Sequence, residues 1–157
     1  LGDGPNKKSL QSNINSNNLN KEIILHGNVQ NVEKFMHNSE FYIHTASYEP
    51  FGLVLLEAMA AGLPVISLDG LGNKDIIIHN QNGFIFSEQD PKVFGDTLIK
   101  LKNDREKYLN IVAAGQKSAS AHDIIPYVKS LTSLYHKISN PINDTQNLTL
   151  LEQKDRI

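Results

Sequence analysis

Cysteine is absent from this chain, which removes disulfides and thiolate metal sites and fits a reducing compartment. No apolar run comes near the ~20 residues needed to span a bilayer, and the first residues are not built like a signal peptide. Charge of one sign is lacking too. Lys and Arg number 15 against 17 Asp and Glu, a formal charge of −2. That leaves no basic footprint of the kind nucleic-acid binders carry, so no nucleic acid is expected as a partner. Apolar residues make up only 39%, lean for a compact chain, and the polar, Asn-rich ends account for much of the shortfall. What remains is a soluble domain, expected in the cytoplasm, whose 157 residues can bury roughly two-thirds of their unfolded surface.

Short apolar runs alternate with helical patterns. Leu1–Pro5 resembles the end of a buried strand and the turn after it. A weak helix follows within 7–20, with apolar positions at Leu10, Ile14 and Leu19. Ile23–Leu25 reads as a short strand closed by Gly27. Asn31 can cap a helix that carries Val32, Phe35 and Met36 on one side. Phe41–His44 and Val65–Leu68 are unbroken β-rich runs, as strands buried on both faces should be. Between them, a loop over Thr45–Pro50 leads into a helix from about Phe51 to Ala61, ended by Gly62 at C′. Gly70 and Gly72 make a tight turn into a helix over Lys74–His79. Asn82-Gly83 is a turn, and Phe84–Phe86 is a last strand. Pro91 opens a helix to about Lys102. Two more helices are expected near 104–120 and 124–138, the second with Ile124, Tyr127, Val128, Leu131, Leu134, Tyr135 and Ile138 on one stripe. Residues 139–157 read as a disordered polar tail, where the sequons at Asn143 and Asn147 mean little without a secretion signal.

Strands alternating with helices predict an α/β chain: a Rossmann-like parallel sheet flanked by helices. In such sheets ligands sit at the carboxyl ends of the strands. The Glu49 loop and the Gly70–Gly72 loop both follow strands, so both belong to that edge and can converge on one ligand. The stretch EPFGLVLLE from Glu49 to Glu57 is the most informative in the chain. A helix start offers unpaired N–H groups and the positive end of its dipole to phosphate. A carboxylate two turns further on can accept hydrogen bonds from a pair of hydroxyls.

From Ile24 to Phe86 the chain resembles the C-terminal nucleotide-sugar-binding domain of GT-B-fold glycosyltransferases of the retaining family 4 type. The matching pieces are HGNV at 26–29, EPFGLVLLEAMAAGLPVI at 49–66, GLGNKDII at 70–77 and NGFIF at 82–86, with weaker likeness to about Ile138. The resemblance sets Glu49 beside the donor sugar, near the charge that develops at the anomeric carbon, as an electrostatic stabiliser. Glu57 chelates the two ribose hydroxyls. The amides of Phe51, Gly52, Leu53 and Val54 point at phosphate and sugar oxygens, with Gly52 allowing close approach. Gly70 and Gly72 form a second donor-facing turn. Val29, Asn31 and Lys34 lie where family members hold the base.

Each of these residues has a plainer reading. Glu49 can be a solvated loop carboxylate, Glu57 a surface one, Gly52 a turn residue and Asn31 only a cap. Lys74 and Asp75 serve equally as surface residues at a helix start. None of the six His pairs with another at metal-ligand spacing. His26 and His44 read as packed or hydrogen-bonded rather than catalytic.

Two departures from the family pattern stand out. Ala46 replaces a frequent Ser. The family's diphosphate-clamping Arg and Lys, its first strand and its acceptor-binding domain all precede Leu1, so the chain is expected to begin in mid-domain and to be inactive by itself. The resemblance implies a parent enzyme that moves a sugar from a nucleoside diphosphate donor to a glycan or lipid-linked acceptor. No cofactor or metal is implied, and peripheral membrane association, at the inner face, fits a lipid-linked acceptor. A non-catalytic nucleotide-sugar-binding module is one alternative. Another GT-B enzyme, such as an epimerase or phosphorylase, is a second. The base, sugar, acceptor and oligomeric state are not written in the sequence.

Overall fold

The computed structural model describes residues 1–139; of the tail expected over 139–157, all but Ser139 lies outside them. Seven helices and three strands follow in chain order: α1 (Lys7–Ser16), α2 (Val32–His37), β1 (Tyr42–His44), α3 (Leu53–Ala60), β2 (Val65–Leu68), α4 (Asn73–Ile76), β3 (Phe84–Phe86), α5 (Pro91–Asn103), α6 (Arg105–Ala121) and α7 (Ile124–Ser139). The strands form one parallel sheet in the order β1-β2-β3. The fold is thus the α/β arrangement that the alternating pattern predicts.

β2 is central, and all four of its residues are buried. Successive side chains leave a strand on opposite faces, so Val65 joins Leu55, Met59 and Leu63 in one apolar cluster while Ile66 and Leu68 join Phe84, Phe94, Leu101 and Ile111 in another. A run without polar alternation is what this double burial requires. α3 supplies the largest share of the first cluster through Leu55, Leu56, Ala58 and Met59. α6 lies close against α3 at Gly115, where a Cβ would sit 3.3 Å from the Met59 side chain.

The end of α3 follows from Gly62. Its φ of 82° lets its N–H donate to the Met59 carbonyl while the Leu63 N–H donates back to Ala58, a Schellman closure. Pro64 then prevents the helix from resuming, and the chain enters β2. This fixes where α3 ends, and therefore where its start must stand above the sheet.

Three expectations change. Ile23–Leu25 forms no strand, because the segment gains no ladder: the Ile23 N–H donates back to the Leu19 carbonyl, and the Gly2 N–H reaches only the Gly27 carbonyl beyond the segment. Ile23 and Ile24 are accordingly exposed. The helix after Gly72 is a single turn, Asn73–Ile76, since the Asn82 side chain accepts from the Ile78 N–H and donates to the Ile76 carbonyl. Those bonds draw the chain into the turn before β3. Finally, α7 forms with its apolar stripe, but none of its residues is buried; nothing among the described residues covers it.

Candidate functional site

β1 and β2 both end at the same edge of the sheet, and the loops that leave them are stitched together there. The Glu49 N–H donates to the Gly70 carbonyl at 2.7 Å, and the Gly72 N–H donates back to the Glu49 carbonyl at 3.0 Å. Glu49 and Leu71 thereby form a parallel bridge beyond the ends of the strands. Glycine is required for this junction. A Cβ on Gly72 would fall 2.3 Å from the Pro50 carbonyl oxygen, and one on Gly70 would fall 2.9 Å from the Glu49 nitrogen. The GLG signal in the sequence is therefore a demand for close backbone approach, with Gly72 itself in an ordinary right-handed conformation.

Beneath the junction, Asn73 is fully buried. Its side-chain amide donates to the Ser67 hydroxyl at 2.9 Å and to the Leu68 carbonyl at 2.7 Å. The amide holds the second loop to the end of β2. Its Oδ1 has no partner among the described residues. Sequence reasoning did not single out Ser67 or Asn73; the signal available was a polar pair set in an otherwise apolar strand-and-turn segment.

Glu49 is held at one carboxylate oxygen and faced by an imidazole at the other. Oε1 accepts the Gly52 N–H at 3.0 Å, which closes the turn into α3, and Gly52 has the left-handed φ of 85° that this turn needs. Oε2 faces His44 Nε2 at 3.6 Å. Two expectations are refined here. The Gly52 amide already has an acceptor within the chain. His44, read from sequence as packed or hydrogen-bonded, sits directly against the Glu49 carboxylate. The amides of Leu53 and Val54, the first two residues of α3, have no acceptor among the described residues, as helix geometry demands of first-turn donors. Phe51 and Leu53 carry exposed side chains, so those positions can serve only through their backbone.

Glu57 lies one helical stripe further along α3, exposed, with no donor or ion-pair partner among the described residues. It lines a recess of about 600 Å³ with Asn31, Val32, Met36 and Ala60. Asn31 caps α2, its side chain accepting the Lys34 N–H at 3.1 Å. The cap reading thus holds, and the residue also faces the recess. Val29 and Val54 line an adjoining recess of about 850 Å³ with Tyr42 and His44; Val32 and Met36 border both. Tyr42 ties the two acids together electrostatically. Burial, then the negative charge of Glu49, then that of Glu57, push its phenol above the ordinary 10.0. Lys74 and Asp75 are exposed, in keeping with the surface reading.

The Glu49 carboxylate and two helix-start amides without acceptors among the described residues therefore stand together at the start of α3, and Glu57, further along that helix, lines one of two adjoining recesses. Acceptor-only groups suit sugar hydroxyls, and amides at a helix start suit phosphate oxygens. Among the described residues no three His, Asp or Glu side chains gather in a way that could hold a metal ion. No described helix is long and apolar enough to cross a membrane.

Comparison with known proteins agrees with this architecture. The family model described as glycosyl transferases group 1 matches residues 1–118. The N-acetyl-alpha-D-glucosaminyl L-malate synthase of Bacillus anthracis is 29% identical over 118 residues, covering 75% of this chain and 31% of that protein. The chain spans less than a third of the length of this curated relative. Among solved structures, Anabaena HepE in complex with UDP-glucose superposes with a TM-score of 0.74 at 23% identity, covering 83% of this chain and 36% of that one. The C-terminal domain of the glycosyl transferase group 1 protein LpcC from Francisella tularensis gives 0.63 at 23% identity, covering 74% of this chain and 61% of that one. At such identities the structural likeness speaks for the fold.

Proposed function

Because the chain belongs to the glycosyl transferases group 1 family, as the C-terminal domain of a GT-B fold, we propose that it is the donor-binding half of a retaining, family 4 type glycosyltransferase. The donor is a nucleoside diphosphate sugar, and the acceptor is a glycan or lipid-linked hydroxyl recognised elsewhere in the enzyme. The observation that carries this reading is the Glu49 carboxylate closed onto the Gly52 N–H at the start of α3, beside the Leu53 and Val54 amides, with Glu57 one turn further along that helix at the mouth of a recess. HepE, similar in fold, has been solved with UDP-glucose, which supports a donor of that class.

In this reading Glu57, without a partner among the described residues, accepts both ribose hydroxyls. The Leu53 and Val54 amides, at the positive end of α3, take diphosphate oxygens and favour the negative charge that grows on them as the glycosidic bond breaks. Glu49, held through Oε1 by the Gly52 N–H, lies by the sugar and stabilises positive charge developing at the anomeric carbon. Its role is electrostatic. Val29 and the Asn31 region bound the base. No metal is invoked, since helix-start amides can do for the leaving group what a cation otherwise would. Transfer takes place in the cytoplasm, a reducing compartment compatible with a chain free of cysteine, and at the inner membrane face where the acceptor is lipid-linked.

The test is substitution in the full-length protein. Glu57→Gln removes charge-assisted bonds to hydroxyls and is expected to raise the donor KM about 10- to 100-fold. Glu49→Gln keeps the shape and is expected to lower kcat about 100-fold or more. Unchanged turnover in both variants removes the site assignment. Micromolar donor binding with no transfer by the wild type points instead to a non-catalytic module.

A further inference from the structure

We propose that His44 is the positioning residue for Glu49, with the Tyr42 hydroxyl setting the imidazole tautomer so that Nε2–H faces the carboxylate. This rests on the reading of Glu49 as a donor-site group, and it adds a residue outside the EPFGLVLLE segment.

The imidazole side chain is only 13% exposed. Its Nε2 is buried and has no hydrogen-bond partner among the described residues, while Glu49 Oε2 is the anion in front of it at 3.6 Å. On the other side of the ring, Nδ1 lies 3.3 Å from the Tyr42 hydroxyl, and the two rings are nearly parallel, 20° apart with centroids at 6.0 Å. Neutral imidazole has one donor and one acceptor nitrogen. If Nδ1 held the proton, the Nε2 lone pair would face a carboxylate oxygen inside a half-buried site, acceptor against acceptor. If Nε2 holds it, the phenol donates to Nδ1 and the imidazole donates to Glu49, and every group in the line has a complement. Tyr42 keeps its proton through the neutral range because burial and both carboxylates disfavour the phenolate, so it remains available as that donor.

At 3.6 Å the His44–Glu49 contact is too long for a formed hydrogen bond. Catalytic hydrogen bonds are often long without substrate and tighten in the complex. A buried donor without an acceptor has a standing preference to close on the carboxylate in front of it. With the Gly52 N–H on Oε1 and His44 on Oε2, the carboxylate plane is fixed by two donors from different elements, β1 and the start of α3.

The discriminating experiment compares His44→Gln, His44→Asn and His44→Leu in the full-length protein. The Gln amide nitrogen reaches the position of Nε2, whereas that of Asn reaches only the position of Nδ1. A positioning role therefore predicts kcat near wild type for Gln and a fall of about 10- to 100-fold for Asn and Leu, with donor KM little changed in all three. Tyr42→Phe should lower kcat in the wild type and have no further effect beside His44→Gln, whose amide has no tautomer to set. An independent measurement avoids activity altogether. Long-range 1H–15N correlation of the histidines should find His44 in the Nε2–H tautomer, with that resonance shifted by Glu49→Gln. Equal kcat for the Gln and Asn variants, or an Nδ1–H tautomer, overturns the proposal while leaving the donor-site reading standing. Absence of transfer by the wild type, with the Nε2–H tautomer observed, removes the donor-site reading and confines His44 to a structural contact.

Discussion

Replacing Gly72 by Ala adds one methyl group at the point where the two loops of the site touch. That methyl would lie 2.3 Å from the Pro50 carbonyl oxygen, 2.6 Å from its carbonyl carbon and 2.8 Å from the Glu49 carbonyl oxygen. All three are backbone atoms, so no side chain can rotate away. Ordinary contact needs roughly 1 Å more, which means that the Glu49 loop and the Gly70–Gly72 turn must separate. Overpacking of this kind, together with loss of the two bonds joining Glu49 to Gly70 and Gly72, gives a destabilisation of about 3–5 kcal/mol. The same shift moves Glu49 by a distance that costs about 100-fold in turnover. Gly95→Ala is the internal reference. It lies within α5, and a Cβ there meets nothing within 4 Å, so it should stabilise by about 0.5–1 kcal/mol. Urea unfolding measures both variants, and donor titration follows the site. If Gly72→Ala matches the wild type in midpoint and donor affinity, the loop junction does not hold the site together and the steric reasoning fails.

Leu55→Ala empties a fully buried position at the first turn of α3 and should cost about 2–5 kcal/mol in urea unfolding; a loss under 1 kcal/mol would mean that the helix is not anchored there. Tyr42 makes stability depend on alkaline pH. Its phenol is raised above 10.0 in the folded state, so the folded form binds the proton more tightly than the unfolded one. That contribution is intact below pH 10.0 and is lost as pH rises through the folded value. Tyr42→Phe should flatten the decline that sets in as pH rises above 10.0, and an identical decline in both proteins refutes the linkage. Under the proposed function residues 1–157 supply the donor-binding half of a site, so by themselves they should bind a sugar nucleotide weakly and transfer nothing at enzyme-like rates; steady turnover by that segment would contradict it.

The architecture was legible because its signals are local. VISL had to be a strand buried on both faces, Gly62-Leu63-Pro64 had to end a helix, and Pro91 after Asp90 had to begin one, with the Asp90 side chain accepting the Lys92 N–H. Ile23–Leu25 misled, since β-propensity describes fitness for a pleated surface and cannot supply the neighbour that makes a ladder. The length of α4 was likewise out of reach, because it is set by Asn82, whose amide also reaches the Ser118 hydroxyl 36 positions away at 2.8 Å. Within the candidate site, the resemblance points to the glutamates and glycines. Tyr42, His44, Ser67 and Asn73 are not, because each matters through a partner that only the folded sheet brings near.

That division has a physical origin. Groups meant for a ligand sit in a contiguous segment, since one turn and one helix start can present amides and carboxylates together. The groups that hold them come from β1, the end of β2 and the turn after it, which are brought together by the parallel sheet. Glu49 shows why both sets are needed. A loop carboxylate with free rotamers would surrender conformational entropy each time it met a sugar. With Oε1 on Gly52 and Oε2 toward His44, much of that ordering is done during folding. Under the proposed function, preorganisation of this kind ties the rate of transfer to the packing of the first sheet edge. It follows that substitutions at Tyr42 or Ser67, neither assigned a direct bond to donor, belong among the variants that slow chemistry more than they weaken binding.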